Sequence, residues 1–469
     1  MSAPASQRPE VVAVSAELLA RYNKPGPRYT SYPTAPEFGE GFAEPQYREH
    51  LARADAEPQS PLSLYVHIPF CESMCTYCGC HVIISRNKDR FSIYLDHVER
   101  EVEMTAQALP HRRSVAQLHW GGGTPTSLSE PQIERLWGIL TRHFTIAPGA
   151  EVALEVDPCV TTDGQVTLLR QLGFNRVSMG VQDFTPAVQQ AVNRIQSYEV
   201  TRKLYDRCRE LGFGSINIDL IYGLPHQTPD NFQNTLAQVI GMRPDRVAVF
   251  NFAHVPWLRP HQRKIDETAL PRTTDRFEIF ARTMRSFADA GYAQIGMDHF
   301  ALPDDELAVA QRNRALHRNF MGYITRPAPD QIGFGVSAIG DVAGAYAQNV
   351  KWLPEYYQAV ESGHLPVQRG FVLSDDDKLR RHVINSLMCN FSLSIPETAA
   401  RFAVDFGTYF AEEQAPLAEL AAAGFVTLSA DRIDVTPVGR IFIRNVCMTF
   451  DKYLRRPRKD DRPIFSRTV

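Results

Sequence analysis

Three cysteines at Cys71-x3-Cys75-x2-Cys78, followed at once by Gly79 and Cys80, stand directly after an apolar run from Leu62 to Phe70. Soft thiolates at such short separations favour an iron–sulfur cluster or zinc. A cubane cluster normally takes four thiolates, so three of them without a distant partner pair leave one iron open to bind and activate a small molecule. A structural zinc site would need a second pair of Cys or His at matching spacing, whereas Cys159, Cys208, Cys389 and Cys447 stand singly in separate segments. Disulfides are disfavoured as well, because four of the eight cysteines crowd into ten positions. Cys80 has two open roles. Side chains at i and i+2 of extended backbone point the same way, so it is either a fourth ligand or a near neighbour of the cluster.

Something must hold that loop, and the pattern around it is repetitive. From about Leu62 to Trp257, short β-rich apolar runs alternate with amphipathic helical stretches, the mark of repeated βα units. The strands read as Leu62–Phe70, Val115–Trp120, Glu151–Asp157, Arg176–Gln182, Ser215–Tyr222 and Arg246–Phe252. Helices are expected over Arg90–Leu109, with Ile93, Val98, Val102 and Leu109 near one face, and over Ser129–Phe144, opened by a capping box from Ser129 to Gln132. Six such units predict a partial (βα)6 TIM-like barrel of α/β class. Polar residues gather at the strands' C-terminal ends: Cys71, Gly121 to Gly123, Glu155 with Asp157, Gln182 with Asp183, Asp219, and Asn251 with His254. In βα barrels those ends carry the chemistry.

The flanks differ. Lys24 to Thr34 is rich in Pro and Gly and predicts an extended arm within residues 1–61; its aromatics and cations suit a planar anion or a packed-down linker equally. After about Asp375 come helical patterns at Lys378–Asn390 and Pro416–Ala423, a hairpin at Phe425–Thr436 and a helix from Pro437 to about Leu454, together similar to a winged-helix module. The division expected is an arm over the active site at 1–61, a catalytic domain at 62–372 and a mostly helical domain at 373–469. The basic stretch Arg440, Arg444, Lys452, Arg455, Arg456, Arg458, Lys459 and Arg462 raises nucleic-acid binding as a rival, but acids are interleaved and no nucleic acid is expected. A net charge of -3 gives no global attraction to polyanions. Met1 to Glu10 lacks a basic-then-apolar leader and no membrane-length apolar run occurs, so a cytoplasmic protein without a membrane span is expected.

The cysteine triplet with Tyr77 before its last member, followed by Gly121-Gly122-Gly123-Thr124-Pro125, resembles the radical S-adenosylmethionine (SAM) enzymes. Within that superfamily the chain is similar nearly end to end to the bacterial oxygen-independent coproporphyrinogen III oxidases. The similarity runs through Gly26–Pro33, Tyr65–Cys71, Cys78–Cys80, Glu155–Pro158, Ser178–Asp183, Asn217–Pro225, Gly296–Phe300 and Leu316–Phe320.

The resemblance implies a 4Fe-4S cluster on Cys71, Cys75 and Cys78, with the nucleotide's amino and carboxylate groups on the fourth iron and Cys80 not a ligand. One electron then cleaves the sulfonium to methionine and a 5′-deoxyadenosyl radical, which removes hydrogen from a propionate β-carbon. Loss of carbon dioxide and one further electron leaves a vinyl group, and two propionates are processed. Two SAM molecules are implied: Tyr65, Gly122, Glu155, Ala253 and Ile339 match contacts of the cluster-bound one, and Tyr77, Gly123, Thr124, Gln182, Arg194 and Asp219 those of the second. Catalytic positions carry over to Tyr65, Glu155, Phe320 and Ile339. The family pattern has Gln where this chain has Met321.

A substrate with four carboxylates wants cations, and Lys24, Arg28, Arg259, Arg263, Lys264, Arg312, Arg314, His317 and Arg318 are the candidates. A flavodoxin-like reductant and a monomeric state are expected. The alternative is a haem-binding chaperone of the same superfamily, whose members typically lack the cysteine matching Cys80, the long arm and the C-terminal extension.

Overall fold

The computed structural model describes residues 16–325, 328–456 and 464–468. These fall into two compact units, one of Ala35–Leu220 with Arg326–Ser374, the other of the residues up to Thr34, Ile221–Thr325 and the residues from Asp375 on.

The first unit is built on a sheet. Its strands β1 (Leu62–Ile68), β2 (Ser114–Gly122), β3 (Thr145–Val156), β4 (Arg176–Gln182) and β5 (Ser215–Tyr222) lie parallel and in chain order. Helices α1 (Lys88–Ala108), α2 (Glu130–His143), α3 (Asp163–Leu172) and α4 (Tyr198–Glu210) connect them, as parallel pairing requires. The α2 start is the predicted capping box: Gln132 Oε1 accepts the Ser129 N–H at 3.0 Å. In α1 the expected apolar face is shifted. Val98 and Val102 are buried with Phe91, Tyr94 and Leu95, whereas Ile93 is 47 % exposed, because it sits off the stripe that those residues define.

On the outer side of β1, Asp330–Phe334 joins the sheet in parallel, and Ile339–Val342, Ala345–Asn349 and Val367–Val372 extend it antiparallel. None of these four strands was read from the sequence. At β1 every residue except Tyr65 is buried, and Asp330–Phe334 beside it is buried throughout.

In the second unit, β6 (Arg246–Asn251) pairs antiparallel with His299–Ala301, which pairs in turn with Ala293–Ile295. The C-terminal part carries a long helix over Asp375–Asn390 and a three-stranded sheet of Ser392–Ser394, Arg432–Val435 and Val426–Leu428. The single helix expected from Pro437 to Leu454 is broken into Pro437–Ile441, Ile443–Met448 and a 3-10 turn at Lys452–Arg455.

The arm is pinned down. Tyr29 and Tyr32 are 2 % and 1 % exposed, Tyr29 donates to Asp451 Oδ2 at 3.0 Å and Tyr32 accepts the Lys452 N–H at 3.3 Å. These tyrosines therefore pack as core, not as a ligand face. Much of the basic C-terminal stretch has partners within the chain: Lys452 pairs with Asp376 and Asp377, Arg455 with Glu412 and Glu413, and Arg440 and Arg456 lie over the rings of Phe391 and Tyr453. Arg458, Lys459 and Arg462, like Met1 to Glu10, lie outside the described residues.

Candidate functional site

β1 delivers the cysteine loop. After Ile68 the chain pairs once more, Phe70–Cys71 against Ile83–Ile84, so both ends of the loop bearing Cys75, Cys78 and Cys80 are fixed by backbone bonds. From below, Thr76 N–H donates to Val192 O at 3.0 Å and Asn193 Nδ2 to Met74 O at 2.8 Å. Cys71 Sγ contacts Thr124 Oγ1 at 3.4 Å, and Arg194 Nη1 approaches Cys75 Sγ at 3.8 Å. Burial pushes the Cys71 thiol up to about 11, with the charges of Cys78 and Cys75 adding to it. A thiol so placed becomes a thiolate only when a metal supplies the compensating charge. No group of three or more His, Cys, Asp or Glu among the described residues is set to hold a single ion. Three thiols on one loop, each bonding a different iron, need no common centre, so the donor set fits a cluster and not mononuclear zinc.

The glycines beside the loop are there for close approach. Gly122 has φ +113°, and a Cβ on it would stand 2.4 Å from the His67 ring; one on Gly121 would stand 3.0 Å from the Glu155 carboxyl. Gly123 N–H donates to Ile68 O and Thr124 N–H to Phe70 O, both at 2.8 Å, locking the β2 end to the cysteine loop. Glu155 Oε2 accepts the Gly122 N–H at 3.0 Å, and His119 Nε2 lies 3.5 Å from Oε1. Burial works against the Glu155 charge, but the His119 contact and the Gly122 N–H outweigh it and hold the carboxyl below its usual range. It is ionised at neutral pH.

Behind Gly122, His67 is wired. Its Nε2 lies 2.9 Å from His81 O and its Nδ1 3.1 Å from Tyr65 Oη, and burial drags its pKa down to about 4. The neutral ring therefore donates from Nε2 and accepts the Tyr65 hydroxyl at Nδ1, which fixes Tyr65. Neither His67 nor His119 was singled out from the sequence. Strand alternation could have found them, since Tyr65 and His67, and His119 and Gly121, share faces of their strands.

β4 and β5 bring the remaining polar groups. Arg194 Nη1 bonds Asp157 Oδ2 at 3.0 Å and Nη2 bonds Gly180 O at 2.7 Å, while its Nε is buried with no partner among the described residues. Gln182 sits at φ +69° where the β4–β5 register shifts. Asp219 accepts from Ser178 Oγ and Asn217 Nδ2, each at 2.8 Å. Tyr77 is held neutral by burial, and Ile339 opens its strand in the same unit. Thus Tyr65, Tyr77, Gly122, Gly123, Thr124, Glu155, Gln182, Arg194, Asp219 and Ile339 share the unit of the three cysteines.

Ala253 and Phe320 belong to the second unit. Ala253 O accepts from Gln262 Nε2 at 3.1 Å, and Phe320 stands between the paired strands His317–Asn319 and Gly322–Ile324, where Met321 N–H bonds Asn319 Oδ1 at 2.9 Å. Of the candidate substrate cations, Arg28 reaches Asp298 at 3.4 Å, Arg318 lies over the Tyr323 ring, and Arg312 is used on Pro303 O.

Residues 65–239 match the family model of the radical SAM superfamily, and residues 373–442 that of the HemN C-terminal domain. The chain is 46 % identical to an oxygen-independent coproporphyrinogen III oxidase of Synechocystis over 98 % of both chains. It is 48 % identical to that of Escherichia coli, over 96 % of this chain and 98 % of that one. The solved structure of the E. coli coproporphyrinogen III oxidase (HemN), described as a radical SAM enzyme, superimposes with a TM-score of 0.90 at 46 % identity, covering 95 % of this chain and all of that one.

Proposed function

The chain belongs to the oxygen-independent coproporphyrinogen III oxidases of the radical SAM superfamily, and on that premise we propose that it converts two propionates of coproporphyrinogen III to vinyl groups, giving protoporphyrinogen IX. It is thus an oxidoreductase of haem biosynthesis. The observation that carries this reading is the three-cysteine loop locked against the Gly121–Gly123 strand end, with ionised Glu155 beside it. The haem-chaperone alternative is not favoured, since near-full-length relatives carry the oxidase name.

Cys71, Cys75 and Cys78 would hold the 4Fe-4S cluster, which together with SAM supplies, when bound, a 5′-deoxyadenosyl radical able to take hydrogen from a propionate β-carbon. The chain's own residues bind and orient. Gly122 and Gly123 let the strand end pack against His67 and the cysteine loop, and Glu155 accepts from a ribose hydroxyl or an ammonium. Tyr65, fixed by neutral His67, and Ile339 complete the first nucleotide position within their unit. Tyr77, Gly123, Thr124, Gln182 and Asp219 form the second, with the Arg194 guanidinium, whose Nε–H has no partner among the described residues, available to pair with a carboxylate. Tyr65, Glu155, Phe320 and Ile339 are the catalytic positions.

The arm of 1–61, a catalytic domain of 62–372 and a helical domain of 373–469 are the working division, with a flavodoxin-like reductant, a monomeric state and the cytoplasm as setting. No helix among the described residues is long and apolar enough to cross a membrane. Anaerobic reconstitution with reductant, SAM and coproporphyrinogen III tests the reading: 5′-deoxyadenosine and a vinyl product are expected together. Nucleotide cleavage without decarboxylated porphyrin would sink it.

A further inference from the structure

The second unit contains a cavity of about 30 Å³ lined by Arg28, Asn251, Asp298 and Arg444 among others. A water-sized occupant needs about 10–15 Å³, so the space admits two or three non-hydrogen atoms, the size of one carboxylate. The charges around it do not balance. Arg444, 4 % exposed, bonds only main-chain carbonyls and one hydroxyl: Pro27 O at 2.9 Å, Arg467 O at 2.6 Å, Ser466 O at 3.0 Å, Ser466 Oγ at 3.3 Å, and Gly26 O. Arg276 bonds Asn251 Oδ1 and, at 3.0 Å, Phe252 O. Nε and Nη1 of Arg318 are buried with no partner among the described residues.

Arg28, Arg318 and Arg444 share the charge of Asp298: Arg28 reaches its Oδ2 at 3.4 Å, the other two feel it at longer range, and that oxygen receives no hydrogen bond among the described residues. Asp298 Oδ1 is already 2.7 Å from His299 Nδ1.

Arg444 alone could be explained as a clasp, because its bonds join the arm to the chain's last residues. That does not account for Arg28 and Arg318, two further arginines set on the same acid. Cations that outnumber the acid beside them in an interior are costly, and burial together with the Arg28 charge, only partly offset by Asp298, drags the Arg444 guanidinium down to about 9. A carboxylate entering the cavity relieves that repulsion and meets the planar donors that guanidinium offers.

We propose that this cavity anchors one propionate carboxylate of the porphyrinogen, and that the anchored propionate is one the reaction retains. The proposal rests on the oxidase reading above. Guanidiniums that stabilise a ground-state carboxylate oppose its departure as carbon dioxide, so this anchor suits a non-reacting side chain. Arg28 is the adjustable element: its side chain is 30 % exposed, and it sits on the arm.

The test uses binding, not turnover. Reconstituted holoenzyme, wild type and Arg28→Gln, is titrated anaerobically with coproporphyrin III, protoporphyrin IX and their methyl esters, followed by porphyrin fluorescence. Arg28→Gln should weaken both free acids about tenfold to a hundredfold, the range for one charge-assisted hydrogen bond. Both should weaken by the same factor, because protoporphyrin keeps the two propionates that survive. The esters should bind both proteins equally, and Arg28→Lys should recover part of the loss. An unchanged dissociation constant for the acids, or an equal loss for the esters, overturns the anchor while leaving vinyl product formation, and so the oxidase reading, intact. Weakening of coproporphyrin alone overturns the assignment to a retained propionate. If acetate raises the unfolding temperature in an Arg28-dependent way while porphyrin affinity is unaffected, the cavity takes small free anions and the proposal fails.

Discussion

Glu155 fixes the backbone of Gly122: its Oε2 accepts that residue's N–H at 3.0 Å, at a position where φ is +113° and the His67 ring stands 2.4 Å from any added Cβ. Strand end, carboxylate and buried histidine are thus one assembly, set against the cysteine loop by the next residue's bond to Ile68.

Gly122→Ala should therefore disrupt the site out of proportion to its size. The left-handed backbone costs about 1–2 kcal/mol for a residue with a Cβ, and the clash with His67 adds to it. SAM binding, measured by equilibrium dialysis on the reconstituted protein, should weaken at least tenfold. Gly79→Ala is the control, since nothing lies within 4 Å of a Cβ there and its φ is ordinary; it should stay within about 0.5 kcal/mol of wild type. Equal behaviour of the two variants would refute the packing argument.

Arg194 ties Asp157 to Cys75, and the side chains of the ion pair are only 14 % and 21 % exposed. Removing one partner of such a pair leaves the other charge buried, at a cost of about 3–5 kcal/mol. Arg194→Gln should lower thermal stability by that order and reduce iron retention. Adding Asp157→Asn should return part of the stability but not the Cys75 contact, so unfolding and iron content should separate. If both recover together, the arginine's role at Cys75 is incidental.

Much of this site was legible because it is local. A strand needs only its own residues to declare its end, so Glu155, Gln182 and Asp219 could be placed at or near the strands' C-terminal ends from the strand bounds alone, and β4 and β5 run over the predicted residues. What required the fold was different in kind. The extension of the sheet from Asp330 to Val372 is made of short strands separated by glycines and turns, whose pattern carries little periodicity. The break at Phe442 follows from tertiary packing: Phe442 and Ile443 are both fully buried, which an unbroken amphipathic helix does not predict. Arg444 read as a solvated cation of a basic tail, and no feature of its own segment says that its partners are the carbonyls of Gly26 and Pro27.

Glu101 makes stability pH-dependent away from the site. It is buried and accepts from Gly335 N–H at 2.8 Å, Asn349 Nδ2 at 2.6 Å and Tyr356 Oη at 2.7 Å, yet burial outweighs these bonds and raises its pKa from 4.5 to about 7. Between those values the folded protein binds more protons than the unfolded chain, so this group's contribution is full below about pH 4.5 and is lost as pH rises through about 7. His67, with its pKa drawn down, acts in the opposite direction, so the comparison must be between variants. The unfolding temperature of wild type minus that of Glu101→Gln should fall from pH 5 to pH 8; a flat difference would mean that Glu101 is ionised throughout.

Cys80 is exposed and stands against the Cys78 thiol, two residues beyond the last member of the triplet. If it were a fourth ligand, the cluster would have no open iron, and the nucleotide would have no site on it. Serine is close to cysteine in shape but a poor partner for soft iron, so the substitution separates ligation from packing. Cys80→Ser should retain iron, sulfide and the visible absorbance of the reconstituted cluster, whereas Cys78→Ser should lose them. Equal loss in both would make Cys80 a ligand and remove the open position on which the radical chemistry depends.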